Sequence, residues 1–218
     1  MNRDLLRLVG IAAILLIALL VAAGLYLRSQ DRQQAERVER AKAQPGVFER
    51  SHSPTLGPES APVTLVEFMD PECESCRLMH PIVKRLLSEY PSELRHVVRY
   101  LPLQPNSMLA AGALHAAGQQ GRYWDMLDVM FENQPVWGSH HAPRPDLIPT
   151  YAEEIGLDME AFRQVLEGGA YRLVVDADQA DGRTLGVRGT PTFFVNERRV
   201  SQLGYEPLKR MIEAELAR

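Results

Sequence analysis

The stretch PECESCRLMHP, residues 71–81, holds both cysteines of the chain, Cys73 and Cys76, with two residues between them. Thiols at i and i+3 can close a small-ring disulfide, and their setting sharpens that reading. VTLVEFM (63–69) is apolar on both faces, as a buried central strand is. Residues 71–90 then read as a helix. Asp70 is placed to cap it, Pro71 takes its first position, and Glu72 suits its positive end. A cysteine at such a helix start faces unpaired N–H groups, which favour the thiolate, and the thiolate is the species that attacks disulfides. Cys73 is the candidate nucleophile. Cys76, one turn deeper, is the candidate resolving thiol.

Three further positions extend the site. Glu67 lies six residues before Cys73 on the apolar strand, and a carboxylate buried there can carry a proton to or from Cys76. Pro81 sits eight residues after Cys73, inside the predicted helix, where proline ordinarily costs about 3 kcal/mol. GVRGTPTFFVN (186–196) places Thr190 and Pro191 just before a strand, and a cis bond between them would expose backbone groups beside the thiols. Glu74, with Asp70 and Glu72, surrounds the pair with negative charge. Such a field disfavours the Cys73 thiolate and weakens the pair as an oxidant, with Arg77 and His80 as partial offsets.

The same residues admit other chemistry. Met69, Cys73, Cys76, Met79 and His80 are soft or borderline ligands, which suit copper(I). Structural zinc ordinarily takes four Cys or His ligands, and the chain has two cysteines. A redox-inactive peptide-binding chaperone is a third reading, and His140-His141 read as solvated residues of a loop.

The elements that position the pair run in the order β-α-β, helical block, β-β-α. LRHVVRYLPL (94–103) is the second strand. Residues 107–185 carry several helical patterns separated by Gly, Pro and Asn breaks, with Trp124, Met126 and Phe131 as core positions. TFFVN (192–196) is a strand, ERR a turn, VSQLG a weak partner strand, and residues 206–217 a closing helix. Residues 53–62, with three prolines and a glycine, read as a loop.

The chain has 218 residues, 45% of them hydrophobic, enough for one domain and appendages. Its formal charge of −4 gives no case for nucleic acid. Residues 1–46 carry a net +3, leaving −7 for the remainder. LVGIAAILLIALLVAAGLYL (8–27) is uncharged over twenty positions, long enough as a helix to span about 30 Å of hydrocarbon. It is longer than the usual apolar region of a cleaved signal peptide, so an uncleaved anchor is expected. Residues 28–46 follow as a polar helical stalk, broken at Pro45-Gly46, with Glu36 and Arg40 paired along it. Positive charges counted alone would place the long domain inside, although long domains can cross regardless.

With the motifs GPESAPVTLVEFMDPECESC, Pro81, the helical block and GVRGTPTFFVN, the chain resembles the DsbA-like branch of the thioredoxin superfamily, the periplasmic thiol-disulfide oxidoreductases. The likeness covers about residues 47–218. It implies an α/β, thioredoxin-like fold with a helical insertion at about 105–186, preceded here by one N-terminal transmembrane helix at 1–27 and the stalk at 28–46. It implies an exposed nucleophile at Cys73, a buried partner at Cys76, an acid at Glu67, and a cis proline at Pro191. Substrate proteins would then bind as extended chain across Thr190 and Pro191. No organic cofactor and no resident metal are expected, since the redox equivalent is the Cys73–Cys76 disulfide. The expected partners are cysteine-bearing extracytoplasmic proteins and a membrane redox partner of the DsbB, VKOR or DsbD type. The expected place is the cell membrane, with the catalytic domain outside. Oxidation is the favoured direction, with reduction and isomerisation left open. Where this family commonly has proline and an aromatic or histidine between the cysteines, this chain has Glu74-Ser75.

Overall fold

The computed structural model describes residues 3–42, 44 and 46–218. Two units are separable, residues 1–44 and 45–218. The first is a single helix, α1 (Arg3–Lys42). It unites the expected anchor and stalk, and Glu36 and Arg40 pair along it at 3.6 Å. Among the described residues no helix is long and apolar enough to cross a membrane, so the expected span at 8–27 finds no support there. Part of that run, the side chains of residues 8–11 and 14, lies outside the described residues. So does Pro45 of the expected stalk break.

The second unit is built on a five-stranded sheet in the order β1-β3-β2-β4-β5. β2 (Val63–Met69) and β3 (Leu94–Tyr100) are its parallel centre, joined by α2 (Glu74–Glu89) as the crossover that parallel pairing requires. β4 (Thr192–Val195) runs antiparallel to β2, and β5 (Arg198–Arg199) antiparallel to β4. The partner strand expected at VSQLG thus lies two residues earlier. The turn tightens at Asn196 and Glu197, both in the left-handed region. β1 (Thr55–Leu56) falls in the stretch that reads as loop; it is too short to show a period of two, and it pairs with β3 at the sheet edge. Gly57 leaves β1 at φ +100°, where a Cβ would lie 2.3 Å from the Leu94 carbonyl oxygen, so glycine is required there.

Between β3 and β4 stand α3 (Ser107–Gln119), α4 (Tyr123–Glu132), the short α5 (Gln134–Trp137), a 3₁₀ turn at Pro145–Leu147, α6 (Ile148–Glu154), α7 (Met159–Gly168) and α8 (Tyr171–Thr184). α9 (Tyr205–Leu216) closes the chain. α7 shows how local the signals are: Asp158 caps it by accepting the N–H of Glu160 and Ala161, and Gly169 ends it at φ +68°.

Two apolar clusters share one face of the sheet. Leu65, Val83, Leu86, Phe193, Leu208 and Ile212 join the sheet to α2 and α9. Met69, Cys76, Tyr100, Met126, Phe131 and Trp137 join it to the helical insertion. Met126 and Phe131 are buried as expected, while Trp124 is half-buried. Full burial of each large apolar side chain stabilises by about 1.5–3 kcal/mol. Cys76 therefore hangs from α2 into the core that the insertion completes.

Candidate active site

The active-site turn leaves the C-terminal end of β2. α2 begins at Glu74, three residues later than the sequence suggests, and its N-cap is Cys73 itself, at φ −76° and ψ 121°. Asp70 is not the cap. Fully buried, it accepts the N–H of Glu72 at 2.9 Å, Leu103 at 2.8 Å and Gln104 at 3.2 Å. Burial pushes its carboxyl above the ordinary range, against the pull of Ser107 and those backbone donors. Glu72 is equally occupied, accepting the Asn106 N–H and side-chain amide, both at 2.7 Å, and the Ser107 hydroxyl at 3.3 Å. Both acids fasten the turn to the segment that opens α3. Glu74 is exposed to solvent.

The expected rise of the Cys73 thiol is not what the structure gives, and none of these three acids stands among the causes that set it. The thiol is lowered from 9.0 to about 5. The largest cause is the hydrogen bond with Cys76. Half-burial opposes it, and Thr190 and the N–H groups of Cys76 and Ser75 add to it. Helix-start donors supply what the sequence reading asks of them. Cys76, with no exposed surface, moves the opposite way: burial, the bond with Cys73 and the charge of Glu67 push its thiol far up. One sulfur is an available thiolate and the other a sealed thiol. Both cysteines are free in this structure.

Glu67 is buried, and its Oε2 lies 3.0 Å from Nε2 of His96, itself buried on β3. The His96 ring packs on Trp124, centroids 5.6 Å apart. His96 is one residue that sequence reasoning missed. Its signal is there once β2 and β3 are paired in parallel: Leu65, Glu67 and Met69 stand beside His96, Val98 and Tyr100, all on one face. The Thr190–Pro191 bond is cis, and the Thr190 carbonyl oxygen is 3.4 Å from Cys73 Sγ. Pro81 lies inside α2.

Gln134 is the second such residue. Its side-chain amide donates to the Pro71 carbonyl at 2.8 Å and the Cys73 carbonyl at 3.1 Å, and its Oε1 accepts from Arg77 Nε at 3.1 Å. No local pattern marks it, because its partners lie some sixty residues away.

The soft side chains are divided. Met69 and Cys76 sit in the core facing the insertion, Met79 in the core under α9. His80 Nε2 is held by Asp128 at 2.6 Å, and its ring packs on Phe131. Among the described residues no three His, Cys, Asp or Glu side chains gather as a metal site.

Residues 49–214 match the family model described as thioredoxin. Among curated relatives, a Na(+)/H(+) antiporter NhaA 3 of Salinispora tropica is 43% identical over 148 residues. The match takes in 66% of this chain but 21% of that protein, so the chain spans about a fifth of the length of that relative. Of solved structures, oxidised BdbD from Bacillus subtilis aligns with a TM-score of 0.70 and 25% identity, over 77% of this chain and 94% of that one. A thioredoxin-like oxidoreductase from Silicibacter pomeroyi aligns with a TM-score of 0.69 and 26% identity, over 80% and 98%. With its parallel β2-α2-β3 unit, the two thiols at the head of α2, and a family match spanning most of its length, the chain belongs to the thioredoxin family.

Proposed function

We propose that the protein is a thiol-disulfide oxidoreductase acting on cysteines of extracytoplasmic proteins through Cys73 and Cys76. One observation carries the reading: a half-buried thiol lowered to about 5 stands over a buried thiol pushed far up, at the start of one helix. In the oxidising direction, a substrate thiolate attacks Cys73 Sγ of the Cys73–Cys76 disulfide. The S–S bond breaks, Cys76 leaves, and Glu67 supplies its proton. A second substrate thiolate then attacks the substrate sulfur of the mixed disulfide and Cys73 leaves as thiolate. Two electrons pass from substrate to protein, and the reaction needs no organic cofactor. A low thiol pKa makes Cys73 a good leaving group and stabilises the reduced state, which favours oxidation of substrate. Thr190 and Pro191 dock the substrate backbone beside Cys73, a role that rests on the family likeness and on the Cys73–Thr190 contact. A membrane partner of the DsbB or VKOR type would reoxidise the pair; a DsbD-type reductant would run it the other way.

The test is the reduction potential of the pair in the full chain, equilibrated against glutathione, together with oxidation of a reduced, unfolded substrate. A potential above about −180 mV is expected. A value below about −230 mV would point to a reductase, and a pair that never forms the disulfide would overturn the exchange mechanism.

The domain lies outside the membrane in this reading, held by residues 8–27. The support is the uncharged twenty-residue run and the likeness to periplasmic oxidoreductases. An alkaline phosphatase fused after residue 46 is expected to be active in cells; an inactive fusion, with the fused protein present, would refute the topology.

A further inference from the structure

Among the side chains by which the helical insertion meets the active-site turn, Gln134 is the one that bonds the Cys73 backbone itself. Gln134 opens α5, four residues long, and is 2% exposed. Its hydrogen-bonding capacity is spent on the active-site turn. Two carbonyl partners, Pro71 and Cys73, require the NH₂ end to face them, and the Arg77 guanidinium requires the oxygen on its side, so the orientation of the amide is fixed by chemistry. The Cys73 carbonyl is also the first acceptor of α2, taking the Arg77 N–H at 3.1 Å. Gln134 therefore grips the peptide where extended turn becomes helix. That is the peptide whose geometry aims the N–H groups of Ser75 and Cys76 at Cys73 Sγ. Behind it, Trp137 of the same short helix is fully buried and donates its indole N–H to Met130 O at 2.7 Å, which anchors α5 to α4.

We infer that Gln134 is a positioning residue of the redox site, contributed by the insertion, which holds the turn presenting the Cys73 thiol by bridging the Pro71 and Cys73 carbonyls. The inference rests on the exchange reading above for its functional meaning, but not for its test. An apolar side chain here would leave the Pro71 carbonyl without this donor and free the first turn of α2 to shift. The sulfur would then lose part of the donor field supplied by Ser75 and Cys76. The other groups at the sulfur, the Cys76 thiol and Thr190, would remain.

The measurement is the rate of alkylation of Cys73 by iodoacetamide against pH, in the reduced full-length protein and in Gln134→Leu. Cys76, buried and with its thiol pushed far up, does not titrate in this range. The midpoint in Gln134→Leu is expected to rise from about 5 by about one unit, a tenfold change in the acid dissociation constant. The reduction potential of the pair is expected to fall by about 30 mV, the same tenfold change for a two-electron couple. Arg77→Met keeps both amide donors and is expected to move the midpoint less. Gln134→Met keeps the length, adds no charge and has no donors, and serves if the leucine variant fails to fold; its midpoint is also expected to rise. An unchanged midpoint in a folded Gln134 variant would overturn the inference. Because alkylation reads the thiolate without any turnover, a protein that failed as an oxidoreductase would still report on Gln134.

Discussion

Cys76→Ser turns the protein into a trap: mixed with a reduced substrate under oxidising conditions, it accumulates a stable mixed disulfide at Cys73. Cys73→Ser gives none, and its exchange rate drops by at least about a thousandfold. The asymmetry follows from the pair itself. Cys73 is the sulfur that both solvent and Thr190 reach, with its thiol lowered to about 5. Cys76 is sealed beneath it, its thiol pushed far up by burial first and then by Cys73 and Glu67, so at neutral pH its thiolate is scarcely populated. Non-reducing gels and mass spectrometry of the adduct decide the matter. An adduct on Cys76 in the Cys73→Ser protein would reverse the assignment of roles. The sign of the pH effect also follows. A folded-state pKa depressed below 9.0 stabilises the reduced protein above the ordinary thiol range, and that contribution is lost as pH falls through about 5. Reactivity of Cys73 falls across the same range.

Arg99→Met is expected to cost about 3–5 kcal/mol, roughly 6–20 °C in Tm, a large loss for a single side chain. Arg99 is fully buried on β3. Its guanidinium donates to Asp178 at 2.7 Å, Asp181 at 2.5 Å and the Val47 carbonyl at 2.6 Å. Asp178 also accepts the Tyr100 N–H and meets His52, both at 2.8 Å, and Asp181 takes a two-pronged bond from Arg50. Removing Arg99 leaves two acids of α8 facing the sheet, each without one of its three hydrogen bonds. The segment 47–52, which wraps the sheet through these same bonds, should loosen with it. Burial pushes Asp181 up, but Arg50 and Arg99 more than reverse that and hold it below the ordinary carboxylate value of 3.8. Its contribution is therefore present above that value and lost as pH falls through the depressed one. Thermal unfolding at neutral and acid pH measures both effects. A loss under about 1 kcal/mol at neutral pH would mean that water compensates the acids.

Residues 63–69 can be read as a buried strand, and the thiols placed at a helix start, because those signals are local: an apolar run interrupted by Thr64 and Glu67, then a charged and proline-bearing turn. The same holds for the Asp158 cap and the Gly169 stop of α7. Asp70 departs from its expected role for a physical reason. Its position suits a cap, but its donors are the backbone of residues 72, 103 and 104, and two of those arrive from the far end of β3. Glu72 and Glu74 look alike as charges beside a thiol; folding hides one under α3 and leaves the other in water. His96, Gln134 and the Arg99 cluster share this character. Each is defined by partners at least 29 residues away in sequence, which no periodicity can announce.

A chain that exchanges disulfides, as proposed, spends its working life beside proteins that are not yet folded, whose exposed backbones add readily to any open strand. The sheet here offers them little purchase. Its two borders are β1 and β5, each two residues long, and β5 consists of Arg198 and Arg199. Short borders, one of them cationic, are poor templates for edge-to-edge addition. β2 lies inside, paired on both sides, while β3 pairs along its length with β2 and meets β1 at His96 and Val97. In the proposed reading, a client held at the thiol end would meet only these short borders of the sheet.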